Sequence, residues 1–78
     1  MEDKIIKAVK ECMSDKSAAG QVTLQSNLRD ELHYDSLDTM LLITELETIF
    51  DMNIDVDDFR DIITVGDIVE KMRGAVNA

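Results

Sequence analysis

One segment in the middle of the chain, from Ser36 to about Asp51, carries more apolar side chains than a single helix face can bury. The chain has no proline, so nothing in this segment interrupts a helix. Two sets of residues fall on two different faces of that helix: Leu42, Ile43, Leu46, Ile49 and Phe50 on one, and Leu37, Met40, Leu41 and Thr44 largely on the other. Leaving a large apolar side chain in water forgoes roughly 1.5–3 kcal/mol. The second set therefore predicts a surface that contacts other proteins.

A length of 78 residues predicts one small domain, residues 1–78, with a modest core. A chain of this size buries only roughly 60% of its extended surface on folding. The alternative for the middle segment is that both of its faces are buried among packed helices, which so small a chain makes difficult. A separate catalytic domain has no room in this length.

Three other segments carry helical spacing or capping signals. An amphipathic helix is predicted from about Glu2 to Met13, and a helical turn or two from Val56 to Asp61. Thr64 is predicted to cap a last helix, with Asp67 near the donors of its first turn and Gly74 at its end.

A polar stretch between residues 14 and 34 predicts a long loop between the first two helices. We expect Leu24, Leu28 and Leu32 to anchor this loop on the core. The fold class that follows is all-α: a small four-helix bundle of three longer helices and one short helix, with a long loop between helices 1 and 2.

The formal charge of −9 is concentrated in one part of the chain. Residues 30–67 hold one basic and twelve acidic side chains, a net charge of −11, whereas residues 1–29 and 68–78 each carry +1. This distribution disfavours nucleic acid and anionic membranes as partners and favours basic protein surfaces. The alternative is a solvated acidic face that serves solubility alone.

Cys12 is the only cysteine, so the chain can form neither an internal disulfide nor a cysteine pair for zinc. It continues the apolar stripe of the first helix, which predicts a place in the core. No apolar run reaches membrane-spanning length, and the charged amino terminus is unlike a signal peptide. We expect a cytoplasmic monomer.

Ser36 lies where the polar loop turns into the middle helix, within the run Asp35-Ser36-Leu37-Asp38. Asp35 is a good N-cap, which places Ser36 in the first helical turn. Unpaired backbone N–H groups and the helix dipole favour anions at such a position, including a phosphate attached to the hydroxyl. The alternative is that Ser36 only starts the helix, a role in which serine is common.

These residues together resemble the acyl carrier proteins, a phosphopantetheine-dependent family. The resemblance covers nearly the whole chain, and its strongest part is the run from Asp35 to Thr39. It continues through the following positions: Leu42, Leu46, Glu47, Phe50, Asp51, Ile54 and the run Ile63-Thr64-Val65.

The resemblance implies that a separate transferase attaches 4′-phosphopantetheine from coenzyme A to Ser36 Oγ. The terminal thiol then carries acyl intermediates as thioesters to enzymes of fatty-acid, polyketide or related lipid biosynthesis, and the chain itself is not an enzyme. Contacts with basic docking patches of these partners are expected from Asp35, Leu37, Asp38, Met40, Leu41 and Glu47. An acyl pocket between the second and third helices is expected from Leu46, Phe50, Ile54, Phe59 and Ile62.

The chain departs from the family pattern at several positions. His33 and Tyr34 stand where a glycine and a small or apolar residue are common, and Leu41 replaces a frequent glutamate. Thr48 and Ile49 replace further acidic residues. The expected partner face is therefore less charged, which suggests a specialised carrier that serves a dedicated pathway rather than bulk fatty-acid synthesis.

Three other classes of function remain as alternatives. The alternation of acidic and amide residues from Asp51 to Asp57 resembles the start of a calcium-binding EF-hand loop. However, Val56 occupies the position of the required glycine, and Ile62 that of the bidentate glutamate. A hydrolase would use Ser36 with His33 as base and a neighbouring aspartate, but the segment lacks a Gly-x-Ser-x-Gly elbow. The third alternative is an unmodified acidic helical module that only binds proteins.

Overall fold

The structure is a computed structural model that describes residues 2–14 and 16–76. It contains three α-helices, α1 (Glu2–Cys12), α2 (Ser36–Phe50) and α3 (Val65–Val76), and two short 3-10 helices, Lys16–Gln21 and Val56–Phe59. Across the described ranges no strand forms, and the one isolated bridge joins Asn27 and Thr64. The predicted all-α fold is confirmed, with the predicted short helix present as the second 3-10 helix.

The core lies where α1 packs against α2 and α3. Each helix contributes one stripe of apolar residues at helical spacing. The most deeply buried large apolar side chains are those of Ile5, Val9, Leu42, Leu46, Val65, Ile68 and Met72. Cys12 is partly buried against this core, and its thiol is free.

The two faces of α2 have different environments, as the apolar pattern predicted. Leu42, Ile43 and Leu46 are buried in the core. In contrast, Leu37 is 66% exposed and Leu41 is 51% exposed. The alternative that both faces are buried is therefore wrong, because the core lies against only one side of α2.

The segment between α1 and α2 is more structured than the predicted loop, because it contains the 3-10 helix Lys16–Gln21. The predicted anchors are confirmed. Leu32 is buried, and Leu24 and Leu28 are partly buried against the core.

The second half of this segment is hydrogen-bonded to the start of α3. Three backbone bonds join residues 24–28 to residues 63–66: Leu28 N to Ile63 O at 2.9 Å, Val65 N to Ser26 O at 3.1 Å, and Gly66 N to Leu24 O at 2.7 Å. We call this contact the loop–α3 seam. Gly66 is required in it, because a Cβ atom there would lie only 2.9 Å from Leu24 O.

The carboxyl ends of α2 and α3 differ. α2 ends at Phe50, and its C-cap Asp51, with left-handed backbone (φ 51°), closes the last turn with a bond from its N–H to Glu47 O. The prediction that α3 ends at Gly74 is wrong, because the helix continues to Val76. A side chain at Gly74 would meet nothing within 4 Å, so this glycine occupies an open helical position.

Candidate functional site

The start of α2 is closed by two reciprocal hydrogen bonds. Asp35 has extended backbone, and its carboxylate accepts from Asp38 N at 2.9 Å. The Asp38 carboxylate accepts in return from Asp35 N at 3.4 Å. This capping box confirms Asp35 as the N-cap and makes Ser36 the first helical residue. Ser36 is exposed, and none of the described residues is hydrogen-bonded to its hydroxyl.

Asp38 is not the exposed contact that the sequence suggested, because only 1% of it is accessible to solvent. Its carboxylate accepts a hydrogen bond from the Ser14 hydroxyl just beyond α1, in addition to the bond from Asp35 N. The spacing of Asp38 from the core residues of α2 indicates this burial. Asp38 lies four residues before Leu42 and eight before Leu46, and therefore on the inward face of the helix.

A hydrogen bond from Tyr34 links the start of α2 to α1. Its ring is buried, and its hydroxyl donates to Val9 O at 2.7 Å. Burial raises the pKa of the Tyr34 phenol above its ordinary value, and the nearby Cys12 and Asp38 raise it further. The phenol therefore remains a protonated donor at neutral pH. The sequence had marked Tyr34 only as a bulky departure from the family pattern.

The residue before Tyr34 has an unusual backbone conformation. His33 has a φ of 58°, in the left-handed region that glycine enters without cost. This geometry explains why glycine suits the position and why its absence strains the loop by about 1–2 kcal/mol.

A cleft of about 490 Å³ opens beside Ser36. Its apolar lining comes from Leu28, Met40, Leu42, Val56, Phe59, Ile62 and Ile63. Its polar lining comes from Asn27, Arg29, Asp30, Tyr34, Asp35, Ser36, Thr39 and Arg60. The serine hydroxyl and an apolar recess are thus parts of one depression in the surface.

The cleft agrees only in part with the predicted acyl pocket. Phe59 and Ile62 line it, but Leu46, Phe50 and Ile54 do not. Leu46 is fully buried in the core, and Phe50 and Ile54 are partly buried against it. The cleft lies nearer the start of α2 than the predicted set, because residues before Ser36, such as Leu28, supply one of its walls.

The outer face of α2, which we define as Leu37, Met40, Leu41, Thr44 and Thr48, is exposed and carries no charge. The three acidic residues of the helix lie elsewhere: Asp38 is buried, and Glu45 and Glu47 are half-buried. The Glu47 carboxylate also accepts from Ile54 N at 2.8 Å. Exposed acidic side chains are instead found at Asp35 before the helix and in residues 51–61 after it.

The residues of the two alternative sites are arranged differently from what those functions need. The second 3-10 helix, Val56–Phe59, begins at the end of the EF-hand-like run, and the Asp55 carboxylate accepts from Asp57 N at 3.0 Å. In residues 2–14 and 16–76, no group of three or more histidine, cysteine or acidic side chains could hold a metal ion. In the same ranges, no hydrogen bond joins His33 to Ser36, as a hydrolase would require.

No helix in the described part of the chain is both long and apolar enough to cross a membrane.

Comparison with known proteins gives a consistent result. The family described as "Phosphopantetheine attachment site" (PP-binding) matches residues 7–72. An acyl carrier protein of Amoebophilus asiaticus is 49% identical over 53 residues, which are 68% of this chain and 66% of that protein. An acyl carrier protein of Thermotoga maritima is 39% identical over 69 residues, which are 86% of this chain and 85% of that protein.

A solved structure from Mycobacterium tuberculosis, of a proposed acyl carrier protein, has a similar fold. Its TM-score is 0.80 with 32% sequence identity, and the similarity covers 95% of this chain and 96% of that one.

The fold and the matched family define a small helical domain of the phosphopantetheine-dependent carrier class. The chain belongs to the acyl carrier protein family. Its cofactor is 4′-phosphopantetheine, and it is a carrier on which separate enzymes act, not an enzyme. The residues fit that group, because the chain offers an exposed and unpaired hydroxyl beside a partly apolar cleft.

Proposed function

We propose that Ser36 Oγ is the attachment point of the phosphopantetheine arm, and that residues 1–78 act as one carrier domain. The observation that carries this proposal is the exposed Ser36 hydroxyl at the first position of α2, beside the cleft. When bound, the group supplies a terminal thiol that holds acyl intermediates as thioesters.

The residues around Ser36 suit this role. The capping box satisfies Asp35 N and Asp38 N, yet it leaves the Ser36 side chain unbonded and accessible. The N–H groups and dipole at the helix start favour an anion at that position. Tyr34, bonded to Val9, fixes the helix start against α1, so the hydroxyl is presented from a rigid base.

The outer face of α2 is proposed to contact the partner enzymes, which are a phosphopantetheinyl transferase and enzymes that load and process the acyl group. Leu37, Met40 and Leu41 would supply the apolar contact. Asp35 and Glu47 would guide the approach of basic partner surfaces, since charge speeds encounter more than it adds affinity. The exposed acidic residues in 51–61 would add to this steering.

The chain is proposed to serve a dedicated branch of fatty-acid, polyketide or related lipid biosynthesis in the cytoplasm. The uncharged outer face of α2 supports this, because Leu41, Thr44 and Thr48 offer no carboxylate to a partner with a basic groove. Bulk fatty-acid enzymes should therefore load and elongate this carrier more slowly than their own. Equal rates with the two carriers would contradict the dedicated role.

Intact mass measures the attachment directly. Co-expression with a phosphopantetheinyl transferase of broad specificity should add the mass of one phosphopantetheine to the wild-type chain and none to Ser36→Ala. Thr44→Ala is the matched control, because it removes another exposed hydroxyl of α2 whose only bond is to Met40 O. This control should be modified like the wild type.

A wild-type chain that stays unmodified would instead favour the unmodified protein-binding module. Circular dichroism should show the same helix content in all three chains, so that loss of modification is not caused by unfolding.

A further inference from the structure

Two arginines lie at the cleft beside Ser36. Between residues 17 and 70 the chain has only two basic side chains, Arg29 and Arg60, although this stretch carries most of its acidic residues. The two are 31 positions apart in sequence, yet both line the cleft that Ser36 also lines. The fold thus brings the only two cations of this long acidic stretch to one small region of the surface.

Neither guanidinium is firmly engaged by the protein. In the described ranges, no carboxylate forms an ion pair with Arg29, which is exposed. Among the described residues, Arg60 forms an ion pair with Asp57 alone, at 3.0 Å, and the two side chains are 77% and 66% exposed. Such exposed pairs contribute little to folding stability, so both cations remain available to a ligand.

The arrangement of the cleft indicates which ligand these cations fit. The apolar part of its lining includes Leu42 and Phe59, which are buried, whereas Arg29, Arg60 and Ser36 are exposed at the mouth. A complementary ligand therefore carries its anion next to the serine and its apolar part deeper in the cleft.

Two carboxylates also line the cleft, and they would repel a phosphate there unless cations offset their charge. Asp30 and Asp35 also line the cleft. A phosphodiester formed on Ser36 Oγ would add a third negative charge at the same cleft. Without nearby cations these charges would repel the phosphate from the mouth, and the attached arm would extend into solvent.

We propose that Arg29 and Arg60 form a binding site for the phosphodiester on Ser36 and so hold the inner end of the arm at the cleft. This site rests on the proposed attachment to Ser36. Guanidinium groups suit it, because their forked donors match the oxygens of a phosphate. Holding the phosphate at the mouth directs the arm along the apolar lining and shelters the acyl group that it carries.

The test compares three loaded proteins in a Cys12→Ala background, which leaves the thiol of the arm as the only one. They are the unchanged chain, Arg29→Gln/Arg60→Gln, and the control Lys7→Gln/Lys71→Gln. The control makes the same change in net charge at exposed lysines that do not line the cleft. Each protein is loaded with an octanoyl-phosphopantetheine arm, and loading is verified by intact mass.

Two readouts follow. The phosphorus NMR signal of the phosphodiester should shift in Arg29→Gln/Arg60→Gln relative to both other proteins, and added salt should move the unchanged chain's signal in the same direction. Cleavage of the octanoyl thioester by hydroxylamine should become roughly two- to fivefold faster in that variant, the range expected for losing exposed charge pairs. The lysine control should match the unchanged chain in both measurements.

The possible failures are distinct. If the unchanged chain gains no mass, the attachment to Ser36 fails and the arginine site fails with it. If all three proteins are loaded but share one phosphorus signal and one cleavage rate, the arginine site alone is refuted. If the double variant does not load, the single variants Arg29→Gln and Arg60→Gln give the same test. Each should then show part of the expected change in the phosphorus signal and in the cleavage rate.

Discussion

The starts of α2 and α3 have the same capping geometry, but they differ in which residue of the first turn is exposed to solvent. In each helix the residue before the first turn and the third residue of that turn exchange hydrogen bonds between side chain and backbone. At α2 the first residue, Ser36, is exposed and the third, Asp38, is buried. At α3 the first residue, Val65, is buried and the third, Asp67, is exposed. The same capping pattern thus leaves a hydroxyl exposed at the first residue of α2 and buries the first residue of α3.

The second residues of the two helices continue this contrast. Leu37 of α2 is 66% exposed. At the equivalent position of α3, Gly66 lies in the loop–α3 seam against Leu24 O. The difference shows that capping residues alone do not make an attachment site. The rotation of the helix about its own axis decides which of its first residues reach solvent.

The largest expected effect comes from removing the third residue of each cap. Asp38→Ala should lower the free energy of unfolding by about 2–3 kcal/mol, because it removes a buried carboxylate that accepts from both the Ser14 hydroxyl and Asp35 N. Asp67→Ala should cost about 1 kcal/mol or less, since water can replace its exposed carboxylate. Urea denaturation of both variants measures the two costs. Equal costs would mean that burial does not distinguish the two caps.

Substitution of two glycines in α3 should give effects of opposite sign. Gly66→Ala should destabilise the fold by about 1–3 kcal/mol, because its Cβ would press on the backbone at Leu24 O. Gly74→Ala should stabilise it by about 0.5–1 kcal/mol, because that position is open and alanine favours the helix. Thermal unfolding of both variants checks the signs. A stabilising Gly66→Ala would contradict the close contact in the seam.

The smallest expected effect is the pH dependence of the α3 cap. Hydrogen bonds from the backbone N–H groups of Thr64 and Ile63 hold the pKa of Asp67 below its ordinary value of 3.8. A depressed folded pKa adds stability that is complete above the unfolded pKa and is lost as the pH falls through the folded one. The wild type should therefore exceed Asp67→Asn in stability near neutral pH.

This difference should shrink as the pH falls from about 6 to about 2. Urea denaturation of both proteins across this range measures it. A difference that stays constant with pH would show that the Asp67 charge does not strengthen the cap.

The sequence predicted those parts of the fold that depend on local signals. The N-caps at Asp35 and Thr64 were found because capping requires only a side chain and the N–H groups two or three residues later. The inward apolar stripe of α1 followed from spacing alone. The exposed set on α2, including Leu37, was also predicted, because a second apolar face has no partner in a chain this short.

The features that sequence reasoning missed depend on distant contacts. Ser14 meets Asp38 across 24 positions, and the Tyr34 hydroxyl meets Val9 O across 25. Neither pairing leaves a periodic signal. The wall that Leu28 adds to the cleft was missed for the same reason, since Leu28 reaches the cleft through the seam with Ile63 and not through helical spacing.

The loop–α3 seam determines how the cleft can enlarge. Its backbone bonds join Leu28 to Ile63, so this side of the cleft is held to the start of α3. On the other side, Val56 and Phe59 belong to a single-turn 3-10 helix, of which only Phe59 is buried. If the cleft shelters the acyl group, as we propose, a chain too long for its volume should displace residues 51–61 outward rather than the seam. The longest chain accepted would then depend on how tightly the Phe59 ring packs against the core.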